Sequence, residues 1–324
     1  MDKNTNGLLL ASSPHIASPV SSRTVMRNMY IALAPICIFS VVIFGLPALL
    51  NIIVSVTAAI AGETLFRLAI RRDIRIKDLS AGITGLLLAL IIPPSMPLWM
   101  TALGSIFAVV VAKEFFGGLG ANVFNPALIG RAFLLMSFPA AMTTWHDPQE
   151  GFTLTFADAV STASPLGMAQ NGELPLYREL IVDMLLGFRA GSSGETSIIL
   201  ILGSCVFLLV TKTINWRIPV SMVVTACITA FFLGMDPLFV IISGGLMFGA
   251  VFMATDYTTS PMTPWGKVIF GAGAGLIAML IRKYGTYPEG VCYALLIMNC
   301  TVPFLNRILP RKYGFVPAKK GGAK

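Results

Sequence analysis

The chain is a succession of apolar runs, many of them long enough for a helix to cross the hydrocarbon core of a bilayer, joined by short polar connections. Few folds accommodate that pattern. Backbone inside lipid must find all its hydrogen-bond partners within the protein, so repeated runs of this length specify a polytopic, all-α membrane protein. Composition agrees: of 324 residues, 56% are hydrophobic and only 12% charged, which excludes an ordinary soluble domain. The runs give about ten spans, near 29–45, 49–66, 80–93, 98–112, 124–142, 197–211, 218–234, 238–254, 268–281 and 291–305. The third stops at Pro93-Pro94, which cannot continue a helix; such short spans belong inside a bundle, where neighbouring protein satisfies the freed backbone.

Charge sets the orientation. A net charge of +8 would suggest a nucleic-acid partner in a soluble protein, but here the partner is the bilayer and no nucleic acid is expected. With the N-terminus in the cytoplasm and alternating spans, 18 of the 23 Lys and Arg residues fall inside. Arg178, Arg189, Arg282 and Lys283 fall outside, and Arg131 lies within a span. Both termini are then cytoplasmic. The chain divides into an N-terminal arm (1–27) without the order of a cleavable signal peptide, a first membrane unit (28–142), an extracytoplasmic loop (143–196), a second unit (197–306) and a basic tail (307–324). The loop holds seven of the fifteen acids.

The two units echo each other. Pro94-Ser95-Met96-Pro97-Leu98-Trp99 precedes an apolar span that leads to Lys113 and Asn125-Pro126. Ser260-Pro261-Met262-Thr263-Pro264-Trp265 precedes one that leads to Arg282 and Pro288-Glu289-Gly290. With five spans in each unit the copies have opposite orientations, the inverted-repeat plan of many transport folds, whose interface is the default place for a cofactor or ion path. Convergent loop chemistry is the alternative, since Pro, Gly and Trp all favour membrane interfaces.

Few residues are equipped for chemistry. In the run Phe116-Gly117-Gly118-Leu119-Gly120-Ala121-Asn122-Val123-Phe124-Asn125-Pro126, the glycines allow close backbone approach and Asn122 and Asn125 supply amides at a helix start. A tight turn capped by Asn explains the same residues. Arg131, inside a span, is a functional candidate because a charge there is costly. Glu63 and Arg67 are spaced to pair with each other, and Asp256, Glu289 and Asn299 are candidates for an ion route or for interfacial positions. The two histidines, His15 and His146, are isolated, and the five cysteines have no metal-ligand spacing; buried structural thiols are expected, with no metal site. No phosphate-binding loop, dinucleotide fingerprint or nucleophile–base set is present, so no residue is assigned a catalytic role, and any redox chemistry belongs to a held cofactor. In the outer loop, Asp158-Ala159-Val160-Ser161-Thr162-Ala163-Ser164-Pro165-Leu166 clusters hydroxyls beside an acid and a proline, which by itself also describes a turn.

Taken together, Ser13-Pro14-His15-Ile16, the GGLGANVFNPALIGR run, Met253-Ala254-Thr255-Asp256-Tyr257-Thr258-Thr259-Ser260-Pro261 and Tyr287-Pro288-Glu289-Gly290-Val291 resemble the D subunits of Rnf electron-transport complexes. They are also similar to the B subunits of sodium-pumping NADH:quinone oxidoreductases. The likeness runs over about residues 12–314. It implies a subunit of a ferredoxin:NAD+ oxidoreductase in a bacterial or archaeal cytoplasmic membrane. Its partners would be the other Rnf subunits, and electron flow would be coupled to Na+ or H+ translocation. The resemblance further implies FMN bound through its phosphate to a hydroxyl side chain, in a pattern like Asp-Gly-x-Ser-Gly-Ala-Thr-Pro-Leu, with room for a second flavin. On this chain the aspartate falls on Asp158, the serine on Ser161 and the acceptor threonine on Ser164, with Thr162 where glycine or serine is expected. A primary hydroxyl forms the same phosphoester, so Ser164 is the preferred anchor and Thr162 the alternative, with non-covalent or absent flavin third. Asn122, Asn125 and Arg131 are the candidates for holding the ring. The competing classes are a cofactor-free secondary transporter or channel and a structural scaffold.

Overall fold

The computed structural model describes residues 21–74, 78–146, 161–162, 177–195, 197–285 and 290–308. Apart from one short strand pair the described chain is helical, an all-α membrane protein. Helix α1 (Ser22–Ala69) begins at Ser21, whose hydroxyl accepts from the Thr24 N–H. Its 48 residues would measure about 72 Å if straight, more than twice the hydrocarbon thickness. It is not straight. Tyr30 in its first arm and Ile60 in its second both abut Gly82, so the arms lie antiparallel. The chain reverses at Gly45, at φ 69° and ψ −148°, a conformation that glycine alone adopts without steric cost.

Helix α2 (Ser80–Ile91) is buried at every residue and ends before Pro93-Pro94. Helix α3 (Leu98–Val109) passes directly into a π-helical turn, Val110–Glu114. Helix α4 (Pro126–Ser137) is followed after Phe138 by the short α5 (Pro139–Thr143). Strand β1 (Trp145–His146) pairs antiparallel with β2 (Ser161–Thr162), Trp145 opposite Thr162 and His146 opposite Ser161. Then come α6 (Tyr177–Leu186), α7 (Ile198–Val210), α8 (Arg217–Phe232) and α9 (Pro237–Ile242). Helix α10 (Leu246–Phe248) continues as a second π turn, Gly249–Met253. The chain closes with α11 (Pro264–Tyr284) and α12 (Val291–Leu305).

Two groups of helices form. Helix α1 packs on α2 and α3, and α3 on α4; in the second group α11 packs on α8 and α12, and α4 meets α12 between the groups. One apolar core runs through both, from Leu33, Leu88 and Leu134 to Phe248, Ala274 and Leu295. The outward surface is apolar too: Ile38, Val42, Val206, Val210, Phe231 and Phe232 are each more than half exposed, as suits a surface covered by lipid or by neighbouring membrane protein. Buried hydroxyls join the first group. Asn51 donates to Pro94 O at 2.6 Å and accepts from Thr101 Oγ1 at 2.7 Å, while Ser55 bonds Gly85 O at 2.6 Å and Ser105 Oγ at 2.8 Å. Such small polar residues let membrane helices approach closely.

The structure departs from the sequence reading in four places. The spans near 124–142 and 238–254 are each broken, at Phe138 and at Ser243-Gly244-Gly245. The segment read as an outer loop contains α6 and ends in a stretch, Arg189–Glu195, that is almost wholly buried. Its polar composition disguises that burial, because its polar groups are spent on the ends of other helices. Of the cysteines only Cys292 is buried, and Cys300 is exposed.

Close packing at two glycines gives a direct test. A Cβ at Gly85 would lie 2.6 Å from Ser55 O and 2.9 Å from Val56 Cα, and one at Gly275 would meet Met222 O. Gly85→Ala and Gly275→Ala should each lower stability by about 1–3 kcal/mol through forced backbone shifts, read as a fall in the detergent-solubilised thermal midpoint.

Candidate functional site

Asn125 is the N-cap of α4. Its Oδ1 accepts from Ala127 N–H at 3.0 Å and Leu128 N–H at 3.4 Å, and Pro126 occupies the first helical position. The capped-turn reading of this run is therefore correct as far as it goes. Asn122, three residues earlier, donates to Phe124 O at 3.1 Å and to Thr258 Oγ1 at 3.0 Å. Its own Oδ1 is buried with no hydrogen-bond partner. Both asparagines line a pocket between the two helix groups, with Met26, Met29, Leu87 and Phe252 as its apolar walls and Lys113, Thr255 and Asp256 among its polar ones. Asn299 of α12, with its amide oriented to satisfy both ends, donates to Thr259 O at 3.2 Å and accepts from Asn125 N–H at 3.1 Å. It thus ties the Asn125 turn to the 255–260 turn, and its role here is to close the seam.

Asp256 organises that second turn. Its carboxylate accepts from Thr259 Oγ1 at 3.0 Å, from Thr258 Oγ1 at 3.3 Å and from Thr258 N–H at 3.4 Å. Burial pushes its carboxyl above the usual carboxylate range, against the hydrogen bonds from Thr259, Thr258 and the Tyr257 N–H, which favour the charged form. The pocket is built from the 78–80, 113–125, 211–214 and 255–258 connections, those that the charge count places inside.

Beside the pocket lies a buried ion-pair network. Lys113, on the π turn after α3, donates to Glu63 Oε2 at 2.7 Å and to Ser80 Oγ at 2.6 Å. Arg67 donates to Glu114 Oε1 at 2.9 Å and sits 3.5 Å from Glu63 Oε1. The i,i+4 pairing expected of Glu63 and Arg67 is present, but it is the longest contact of a four-residue set. The sequence reading used Lys113 as a repeat marker and an inside charge but missed its buried pairing and Glu114, because the π turn rotates both inward, out of step with a regular helix.

Arg131 does not join the asparagines. It lies further along α4, where its Nη1 donates to Ile91 O at the end of α2 and stands 3.7 Å from Glu195 Oε1. Of the hydroxyl segment, Ser161 and Thr162 are described, as β2 paired with β1, while Asp158, Ser164 and Glu289 lie outside the described residues. Helix α4, about 18 Å long, and then α5 separate the Asn125 cap from β1. The described candidates thus fall into an asparagine pocket, an arginine at the α2 end and the Ser161-Thr162 strand that pairs with β1 after α5.

Comparison with known proteins adds the family. The NQR2, RnfD, RnfE family model matches residues 9–314. The chain is 43% identical to the D subunit of the proton-translocating ferredoxin:NAD(+) oxidoreductase complex of Clostridium ljungdahlii, over 95% of this chain and 97% of that one. It is 39% identical to the D subunit of the Na(+)-translocating ferredoxin:NAD(+) oxidoreductase complex of Acetobacterium woodii, over 98% of each. It is 38% identical to the D subunit of the ion-translocating oxidoreductase complex of Stutzerimonas stutzeri, over 90% of this chain and 91% of that one.

The ion-pair network makes a prediction that separates charge from shape. Lys113→Met removes the short partner of the buried Glu63 and should cost about 3 kcal/mol. The double change Glu63→Gln with Lys113→Met should recover most of that loss, measured as thermal midpoint and yield of folded protein.

Proposed function

Because the chain belongs to the NQR2, RnfD, RnfE family, we propose that it is the D-type membrane subunit of an ion-translocating ferredoxin:NAD+ oxidoreductase. The observation that carries this reading is the match to subunits of that complex along nearly the whole chain. Its partners are the other subunits of the complex. The chain works as an electron carrier within that assembly and not as an oxidoreductase alone. The ion moved is Na+ or H+, since one similar protein is named for each.

The architecture we propose is ten spans in two inverted five-helix units, in a cytoplasmic membrane, with both termini inside. Supporting the repeat, the packing of α1 on α3 and of α3 on α4 has a counterpart in that of α8 on α11 and of α11 on α12. Lys113 on Ser80 Oγ, at the first residue of α2, also has a counterpart in Arg282 on Ser243 O, shortly before α10. Supporting the orientation is the distribution of Lys and Arg.

FMN, attached by a phosphoester to Ser164 or, alternatively, Thr162, is the proposed redox group of the outer loop. The flavin supplies one- and two-electron chemistry; the chain supplies a fixed position for it. Asp158 and Ser161 belong to the same attachment segment. Tethering holds the group within reach of a partner without an affinity cost.

The asparagine pocket, on the opposite face, is the proposed seat of a second, non-covalent flavin. Asn122 Oδ1 is an orphaned acceptor suited to an N–H at the edge of a ring, and Met26, Met29 and Phe252 supply apolar walls. Asn125 shapes this seat as the α4 cap. Arg131, turned toward Ile91 O, is withdrawn from it.

The test is the complex expressed with its flavin transferase, followed by flavin fluorescence of the denatured subunit and peptide mass mapping. The adduct is expected on the peptide containing Ser164, lost in Ser164→Ala and kept in Ser164→Thr. An adduct on Thr162 moves the anchor by two residues. A complex with no flavin, covalent or bound, contradicts the proposal. Asn122→Leu should lose non-covalent flavin and leave the covalent adduct unchanged.

A further inference from the structure

Residues 187–195 run without helical structure between the two helix groups, yet Arg189, Ser192, Ser193 and Glu195 are each no more than 6% exposed. This stretch and three guanidiniums close two helix breaks at once. On one side, Gly194 N–H donates to Leu90 O at 2.7 Å, Ser193 N–H to Ile92 O at 3.4 Å, and Arg131 to Ile91 O, all at the end of α2. On the other, Arg189 donates to Ile242 O at 2.6 Å, and Arg282 donates to Val240 O at 3.1 Å and Ser243 O at 3.3 Å, at the end of α9. Arg189 also donates to the carbonyl of Glu195, which locks the stretch upon itself. The Glu195 side chain fills the space a Cβ at Gly245 would need, just before α10.

Broken helices in transport folds coordinate cations through their unwound carbonyls and nearby carboxylates. Here six carbonyls at the two breaks, those of Leu90, Ile91, Ile92, Val240, Ile242 and Ser243, are already occupied, and four of the six are held by guanidinium groups. The oxygens left without partners, Glu195 Oε2, Ser192 Oγ and Ser243 Oγ, belong to the same stretch and the same break. Glu195 has Arg131 beside it, and Arg282 holds the Ser243 carbonyl. Fixed positive groups in a narrow passage exclude protons and metal cations.

We propose that Arg131, Arg189, Arg282 and Glu195 form an electrostatic seal, which closes the seam between the two helix groups to Na+ and H+. An ion moved by the complex passes by another route. This rests on the reading above that the chain sits in a membrane across which an ion gradient is built. The seal accounts for three buried arginines without assigning them to the cofactor or to the ion.

The test uses the purified complex in sealed liposomes. Passive Na+ and H+ leak under an imposed potential, ions moved per electron, electron transfer and flavin content are measured on one preparation. Glu195→Gln preserves shape and removes the carboxylate that stands 3.7 Å from Arg131; leak and ion transport should stay unchanged. Arg189→Gln combined with Arg282→Gln should raise the leak several-fold while electron transfer continues, and Arg189→Lys should stay tight. The proposal is overturned if Glu195→Gln abolishes ion transport with electron transfer intact, because Glu195 would then be part of a conduit. It is equally overturned if the double arginine variant assembles and stays tight. Should that variant fail to assemble, Glu195→Gln decides alone. A wild-type complex without flavin or electron transfer reports failure of the functional reading instead, and the leak comparison still reads the seal.

Discussion

A helix that breaks inside a membrane leaves carbonyl and amide groups that lipid cannot satisfy, and much of this molecule is arranged around supplying their partners. Helix α2 stops short at Pro93-Pro94, and α9 stops at Ser243-Gly244-Gly245. Side chains and backbone from far along the chain fill both gaps: Asn51 on Pro94 O, Arg131 on Ile91 O, Arg189 on Ile242 O, and Gly194 N–H on Leu90 O. These contacts bind the two helix groups to the 187–195 stretch and to each other. Remove them, and the breaks would leave several buried acceptors unpaired, each at a cost comparable to a lost core contact.

The two faces of the seam then have different chemistry. Toward the connections rich in Lys and Arg lies a pocket with an orphaned amide oxygen, Asp256 and a balanced ion-pair network. Toward the hydroxyl loop lies a plug dominated by guanidinium groups. The proposed carrier, passing electrons through held cofactors while ions move elsewhere, would call for this division, because the protein around the cofactors must not leak.

The class of the protein was legible in the sequence, because apolar length acts locally and survives without tertiary information. The Asn125 cap was legible for the same reason: Asn before Pro at a helix start has a local cause. The partners of Arg131 were not, since Glu195 and Ile91 are distant in sequence and no periodicity links them. Nor was the burial of 187–195, whose Gly, Ser, Arg and Glu read as a surface loop until the acceptors they satisfy are seen. The reversal at Gly45 fell between two spans that the sequence did separate. The short contacts of Lys113 and Glu114 were hidden by a π turn. Where reading failed, the missing information was the location of unpaired backbone groups on other helices.

The proposed division of labour depends most on sidedness, with the hydroxyl loop and the Asn122 pocket on opposite faces of the membrane. The decisive measurement is labelling by a membrane-impermeant maleimide in sealed right-side-out vesicles, using chains freed of native cysteines and carrying either Gln170→Cys or Arg71→Cys. Position 170 should be labelled from outside, and position 71 only after the vesicles are opened. The reverse pattern, or labelling of both positions from one side, would contradict that sidedness.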